Sequence, residues 1–180
     1  FILFNIIGAS NAGLKQYDAA LESYKKALEI RPDYAEAYFN MAVTLKDKGE
    51  SEASFDCYKQ ALKIKPNYAE AYNNIGNALK DKGDLEEAIK CYKQALMIKP
   101  NYAVAYHNMG NVQKDKGELE AAIDSYQKAL KIRPDYTEVY KNIGNILKKV
   151  IFTKPSSGLQ EVISSIIDRK NIVKPVNISQ

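Results

Sequence analysis

Tryptophan is absent from this chain, histidine occurs once and cysteine twice. Each scarcity closes off a class of function. Two cysteines, Cys57 and Cys91, are too few for a disulfide scaffold and suit a reducing, cytoplasmic compartment. A lone imidazole, His107, with no neighbouring cysteine or second histidine makes no zinc site, so neither a metal nor another cofactor is expected. No apolar run approaches the roughly 20 residues that cross a bilayer, which argues against a membrane partner. Phosphate-cradling glycine loops and the HExxH and GxSxG strings are all missing, so the chain does not read as an enzyme. Charge of one sign is also scarce. The net charge is +4, and from Lys148 onward six basic residues against two acidic ones account for all of it. The preceding 147 residues carry 20 of each. A nucleic-acid binder should show a basic stripe over its main surface, so no nucleic-acid partner is expected.

What is abundant is tyrosine, with 13 in 180 residues, and it recurs on a fixed step of 34 residues. Tyr24, Tyr58, Tyr92 and Tyr126 keep that step, as do Tyr38, Tyr72, Tyr106 and Tyr140. Pro32, Pro66, Pro100 and Pro134 follow it, with Ala27, Ala61, Ala95 and Ala129, and with Gly49, Gly83 and Gly117. Residue number therefore equals repeat position through the first unit. Within a unit, positions 4, 7, 8 and 11 form one apolar stripe at helical spacing, helix A. Positions 20, 24, 27, 28 and 30 form a second, helix B. Small residues at positions 8 and 20 let A and B approach closely. The glycine at position 15 falls where a helix ends in a left-handed residue, and the proline at 32 stops helix B. Asp33, Asn67 and Asp135 are placed to cap the following A helix, with Glu36, Glu70 and Glu138 completing a capping-box-like pair.

This period and pattern resemble the tetratricopeptide repeat family, which asks for aromatics at positions 4, 11 and 24, Leu-Gly at 7 and 8, Ala at 20 and Pro at 32. The third unit supplies Tyr72, Ile75, Gly76, Leu79, Ala88, Tyr92 and Pro100. The second departs with Ala42 for the glycine and Ser54 for the alanine, both still small. The resemblance implies an all-α, right-handed superhelical solenoid of antiparallel helix pairs. The array is expected to span 1–151, as units 1–34, 35–68, 69–102 and 103–136 plus helix A of a fifth, 137–150. One unit cannot bury its own apolar faces, so stability must come from stacking neighbours.

Beyond Lys149 the period fails. The expected order over 152–180 is a loop, an amphipathic capping helix at about 157–170 and an extended tail. The first unit breaks the pattern differently, placing Ile2, Leu3 and Ile6 where later units have mostly polar residues, with Phe1 ahead of them. This edge is expected to associate with another copy of the chain, or to have lost an upstream neighbour. The chain opens without Met inside this apolar stretch and is expected to be a piece of something longer.

Candidate function lies on the face of helix A opposite its apolar stripe, which in this family lines a concave groove for extended peptides. Position 6 reads Asn40, Asn74, Asn108 and Asn142, and position 9 adds Asn77, Asn111 and Asn145. Asparagine carries both donors and an acceptor, so a row of it can hydrogen-bond a peptide backbone of any sequence. The row resembles the asparagine ladder in the repeat region of O-linked N-acetylglucosamine transferases. His107 and Lys141 occupy position 5 of the same face, and these side chains are expected to be open to solvent. The carboxylate clamp of chaperone adaptors is not matched, because only Lys141 has the required charge. Two functions follow. The first is a protein-interaction scaffold holding an extended peptide of a protein partner in its groove. The alternative is the substrate-selecting repeat arm of a larger transferase-type enzyme whose catalytic domain lies outside these residues.

Overall fold

A computed structural model describes residues 1–153, with side chains described through Lys148. Among these residues the chain is nine α-helices and no strand. They are α1 (Ile2–Gly13), α2 (Tyr17–Ile30), α3 (Ala35–Lys48), α4 (Ser51–Ile64), α5 (Ala69–Lys82), α6 (Leu85–Ile98), α7 (Ala103–Asp115), α8 (Leu119–Ile132) and α9 (Thr137–Thr153). Odd-numbered helices are the A helices and even-numbered ones the B helices. Each A packs on the B of its own unit, and each B packs on the next A. Helix α9 continues to Thr153 rather than giving way to a turn at Ile151. The expected capping helix and tail lie outside the described residues.

In units 2 to 4 the chain reverses between A and B at glycine, whereas in unit 1 Lys15 takes the left-handed turn with φ of 60°. Gly49 and Gly83 have φ of +93° and +87°, in the left-handed region that a Cβ disfavours. The N–H of Glu50 bonds the carbonyl of Leu45 and that of Gly49 bonds Lys46, which satisfies two otherwise orphaned carbonyls at the end of α3. Between B and A, Arg31, Lys65, Lys99 and Arg133 each leave the helix in an extended conformation just before proline, whose ring excludes the helical region for its predecessor. The caps expected from Asp33 and Asn67 do not form. Helices α3, α5 and α7 begin at Tyr34, Tyr68 and Tyr102 with no side-chain cap. Glu36 and Glu70 reach across instead, accepting from Lys65 and Lys99 at 3.0 and 2.7 Å. Those two lysines also lie over the rings of Tyr68 and Tyr102, so the Pro turn is clamped by cation and ring rather than by a capping box.

The core repeats with the sequence. Tyr24, Tyr58, Tyr92 and Tyr126 are buried, and Ala27, Ala61, Ala95 and Ala129 have no exposed surface. The small residue at position 8 has a steric cause. A Cβ on Gly8, Gly76 or Gly110 would stand 2.5–2.6 Å from the tyrosine ring of its own unit. Helices α1 and α3 touch, as do α5 and α7, whereas no two B helices make comparable contact among the described residues. The A helices therefore form the inner side of the curved stack.

At the first unit Ile2, Leu3 and Ile6 are 55, 67 and 58% exposed. Phe1 does not share their situation. Its ring meets Tyr34 edge-on at 5.0 Å and lies 4.8 Å from the Arg31 guanidinium.

Candidate functional site

The asparagines of positions 6 and 9 hold the stack together before they offer anything to a ligand. Two bonding rules recur. Position 6 of one unit donates to position 5 of the preceding one, 35 residues back. Asn40 Nδ2 donates to Asn5 Oδ1 and Asn108 Nδ2 to Asn73 Oδ1, each at 3.0 Å. Asn142 Nδ2 approaches His107 Nε2 at 3.1 Å. Position 9 accepts the buried tyrosine hydroxyl of its own unit, with Tyr92 donating to Asn77 at 2.8 Å and Tyr126 to Asn111 at 2.7 Å. Each such bond satisfies a phenol that burial would otherwise leave at a cost of about 1–3 kcal/mol.

His107 is the centre of the densest cluster, and it is buried, with only an edge lining the depression of the inner face. Asn111 Nδ2 reaches its Nε2 at 3.2 Å, alongside Asn142, and the Tyr136 hydroxyl lies 3.0 Å from its Nδ1. Asn142 also donates to Asn111 Oδ1 at 2.8 Å. An Nε2 that faces two amide donors must be the unprotonated nitrogen, so the ring is neutral with its proton on Nδ1, directed at Tyr136. Burial pushes the imidazole pKa below its usual value; Glu138 works against this, while Arg133, Lys114 and Lys80 reinforce it.

The remaining groove residues are wetter. Asn40, Asn74, Asn77, Asn108, Asn111 and Asn142 are half-buried, while Lys141 and Asn145 are exposed. Asn111, Asn142, Asn145, Lys80, Lys114 and Lys141 line an open depression of about 600 Å³ on the inner face. The Asp-Lys alternation of the sequence pairs locally there, with Lys80 and Lys114 at 3.4 and 3.5 Å from Asp81 and Asp115. Sequence reasoning missed Asn5, Asn73 and Tyr136. The signal that could have found them is the pairing of polar residues 29 and 35 apart, the separations at which facing positions of one unit or two neighbouring units meet.

Unit 2 breaks both rules. Position 5 is Phe39, stacked on Tyr68 at 4.8 Å, so Asn74 has no amide in the preceding unit to donate to, and its side chain lies beside the Tyr58 hydroxyl instead. Position 9 is Val43, and the buried Tyr58 hydroxyl finds no protein partner. Burial pushes the Tyr58 pKa up to about 12. Cys57 and Cys91 are unbridged and half-buried, and burial raises both thiol pKa values.

Paired helices stacked through repeated tyrosine and alanine contacts, with a polar inner face, define a helical-repeat solenoid. The model of the tetratricopeptide repeat matches residues 14–49, 44–83, 76–117 and 111–150, and the chain belongs to that family. Similar solved structures include a MamA crystal structure, 28% identical with a TM-score of 0.72, covering 79% of this chain and 84% of that one. A second MamA structure, at 24% identity and a TM-score of 0.74, covers 97% of both chains. PilF of Pseudomonas aeruginosa, at 23% identity and a TM-score of 0.76, covers 82% of this chain and 67% of its own. The last two likenesses show the fold alone. No curated protein sequence matches the chain. Repeats of this family make the chain a protein-interaction scaffold. No helix among the described residues is long and apolar enough to cross a membrane.

Proposed function

We propose that the inner face of α3, α5, α7 and α9 holds an extended segment of a partner protein by its backbone. One observation carries this reading: three of the four position-6 amides are pinned through their N–H to the preceding unit. Their Oδ1 atoms accept no hydrogen bond among the described residues. Pinning orients a row of carbonyl oxygens along the stack without a further entropic cost on binding. Asn74, unpinned, offers both donor and acceptor, and Asn145 and Lys141 extend the row at the exposed end. Backbone N–H groups of an extended peptide suit such a row whatever the side chains are.

The test uses linear peptides selected from a displayed random library on the intact chain. Asn74→Ala should weaken their binding about tenfold, measured by fluorescence anisotropy, with the melting curve unmoved. Asn108→Ala should also weaken binding, but it strands the buried Asn73 and should cost about 1–3 kcal/mol of stability. Failure to select any peptide, or unchanged affinity in both variants, overturns the reading. A second surface is proposed at α1, where Ile2, Leu3 and Ile6 form an exposed apolar patch suited to a second copy of the chain.

A further inference from the structure

The departures of unit 2 converge on one place. Position 10 of the A helix is filled in three units by Thr44, Val112 and Ile146, all at most 2% exposed. In unit 3 it is Ala78. The shorter side chain, between α3, α4 and α5, contributes to a cavity of about 150 Å³. Its lining includes Ser54, Tyr58, Asn74 and Ala78, with Lys46, Asp81 and Lys82 beside them. Ser54 replaces the alanine of the other units and already donates its proton to the Ala42 carbonyl at 2.7 Å. That leaves two side chains with unused hydrogen-bonding capacity facing the same space. Tyr58 is 1% exposed and its hydroxyl has no protein partner. Asn74 lacks the position-5 amide that Asn40 and Asn108 use. Three separate substitutions, Phe39, Val43 and Ala78, thus remove two internal partners and open a volume between the groups they release.

We propose that this pocket receives one side chain of the bound segment, of the glutamine or glutamate type, whose terminal oxygen accepts from Tyr58 and Asn74. The proposal rests on the groove reading above and adds a specificity determinant to a surface that otherwise reads backbone. Size and chemistry agree. A cavity of about 150 Å³ takes a group the size of benzene, about six heavy atoms, and a glutamine side chain has about that many. The buried Tyr58 hydroxyl has a hydrogen with no acceptor and the Asn74 amide can add a second donor, so a ligand group that satisfies Tyr58 must accept. Lys46 and Lys82 against the single Asp81 favour an acceptor that is neutral or anionic over a cation. An aliphatic side chain would fill the space but leave the Tyr58 hydrogen without an acceptor, and a lysine, which accepts nothing, would leave it so as well. The same pocket cannot form between units 3 and 4, where Val112 occupies the space and Asn77 holds the Tyr92 hydroxyl.

The experiment selects linear peptides from a displayed random library on three full chains: unchanged, Ala78→Val and Tyr58→Phe. Ala78→Val installs the residue that unit 4 carries at the matching position, so it should fold at least as stably. Tyr58→Phe removes only the unpartnered hydroxyl and serves if the first variant repacks poorly. The unchanged chain should enrich Gln or Glu at one fixed position, and the ratio of the two reports whether the amide or the carboxylate is preferred. Both variants should lose that enrichment and bind the selected peptides about tenfold more weakly, while their remaining affinity persists. Enrichment of an aliphatic or basic residue at that position, or an unchanged preference in both variants, overturns this assignment and leaves the groove reading standing. A chain that enriches no peptide overturns both.

Discussion

Between about pH 7 and 5.5, acidification should weaken the fold through His107. The ring is buried, Nε2 accepts from Asn111 and Asn142, and Nδ1 faces Tyr136. Placing a proton on Nε2 would turn an acceptor bonded to two amide donors into a third donor among them. Neither amide can simply flip: Asn142 also donates to Asn111 Oδ1, and that oxygen accepts from Tyr126. The folded-state pKa therefore lies below the unfolded value of about 6.5, in the direction that burial dictates. Above about pH 6.5 both states hold a neutral ring and the full stability is present. As pH falls below that value the unfolded chain takes up a proton that the folded chain resists. Stability is then lost at up to about 1.4 kcal/mol per pH unit, until the folded pKa is reached. Because His107 is the only histidine, no other side chain confuses the interval between about pH 5.5 and 7. Urea denaturation followed by far-UV circular dichroism, at pH 7.5 and 5.5, measures the difference. His107→Asn is the control, since Asn5 and Asn73 hold the same repeat position and accept the same bond. That variant should fold and show a much smaller pH difference. A flat stability profile in the unchanged chain, or an equal slope in His107→Asn, would refute the hydrogen-bonding scheme and the tautomer assigned to it.

Gly110→Ala puts a methyl 2.6 Å from Tyr126 and should destabilise by about 1–3 kcal/mol despite the roughly 1 kcal/mol helix preference of alanine. An unchanged or raised melting temperature would show that the ring moves freely. At the first helix, Ile2, Leu3 and Ile6 together should make the chain associate as concentration rises, and Ile2→Glu with Ile6→Glu should abolish that association. A monomer at every concentration in sedimentation equilibrium would exclude the edge as a contact.

Some of this architecture could be read from the chain as a string. The 34-residue step, the two apolar stripes, the glycine stop after α3, α5 and α7 and the proline stop after each B helix are local properties, set by side-chain volume and backbone freedom within one unit. Stacking followed because one unit cannot bury its own faces. The row of asparagines was visible in the same way, as a register. What those asparagines do was not visible, because it depends on which residue stands opposite in the next unit. Position 6 meets position 5 across an interface 35 residues away, so Asn108 is pinned while Asn74, identical and one unit earlier, is free. His107 reads as a solvated groove residue along its own helix, and only the approach of Asn142 from α9 and of Tyr136 from the turn before it buries it. The caps failed for a related reason: Glu36 and Glu70 had a local role to play, but the lysines brought over them by the Pro turn held them instead. Period and pattern are thus consequences of chain chemistry within one turn or one unit. Which polar groups are spent on the stack, and which remain for a partner, is decided by contacts between units that no single unit encodes.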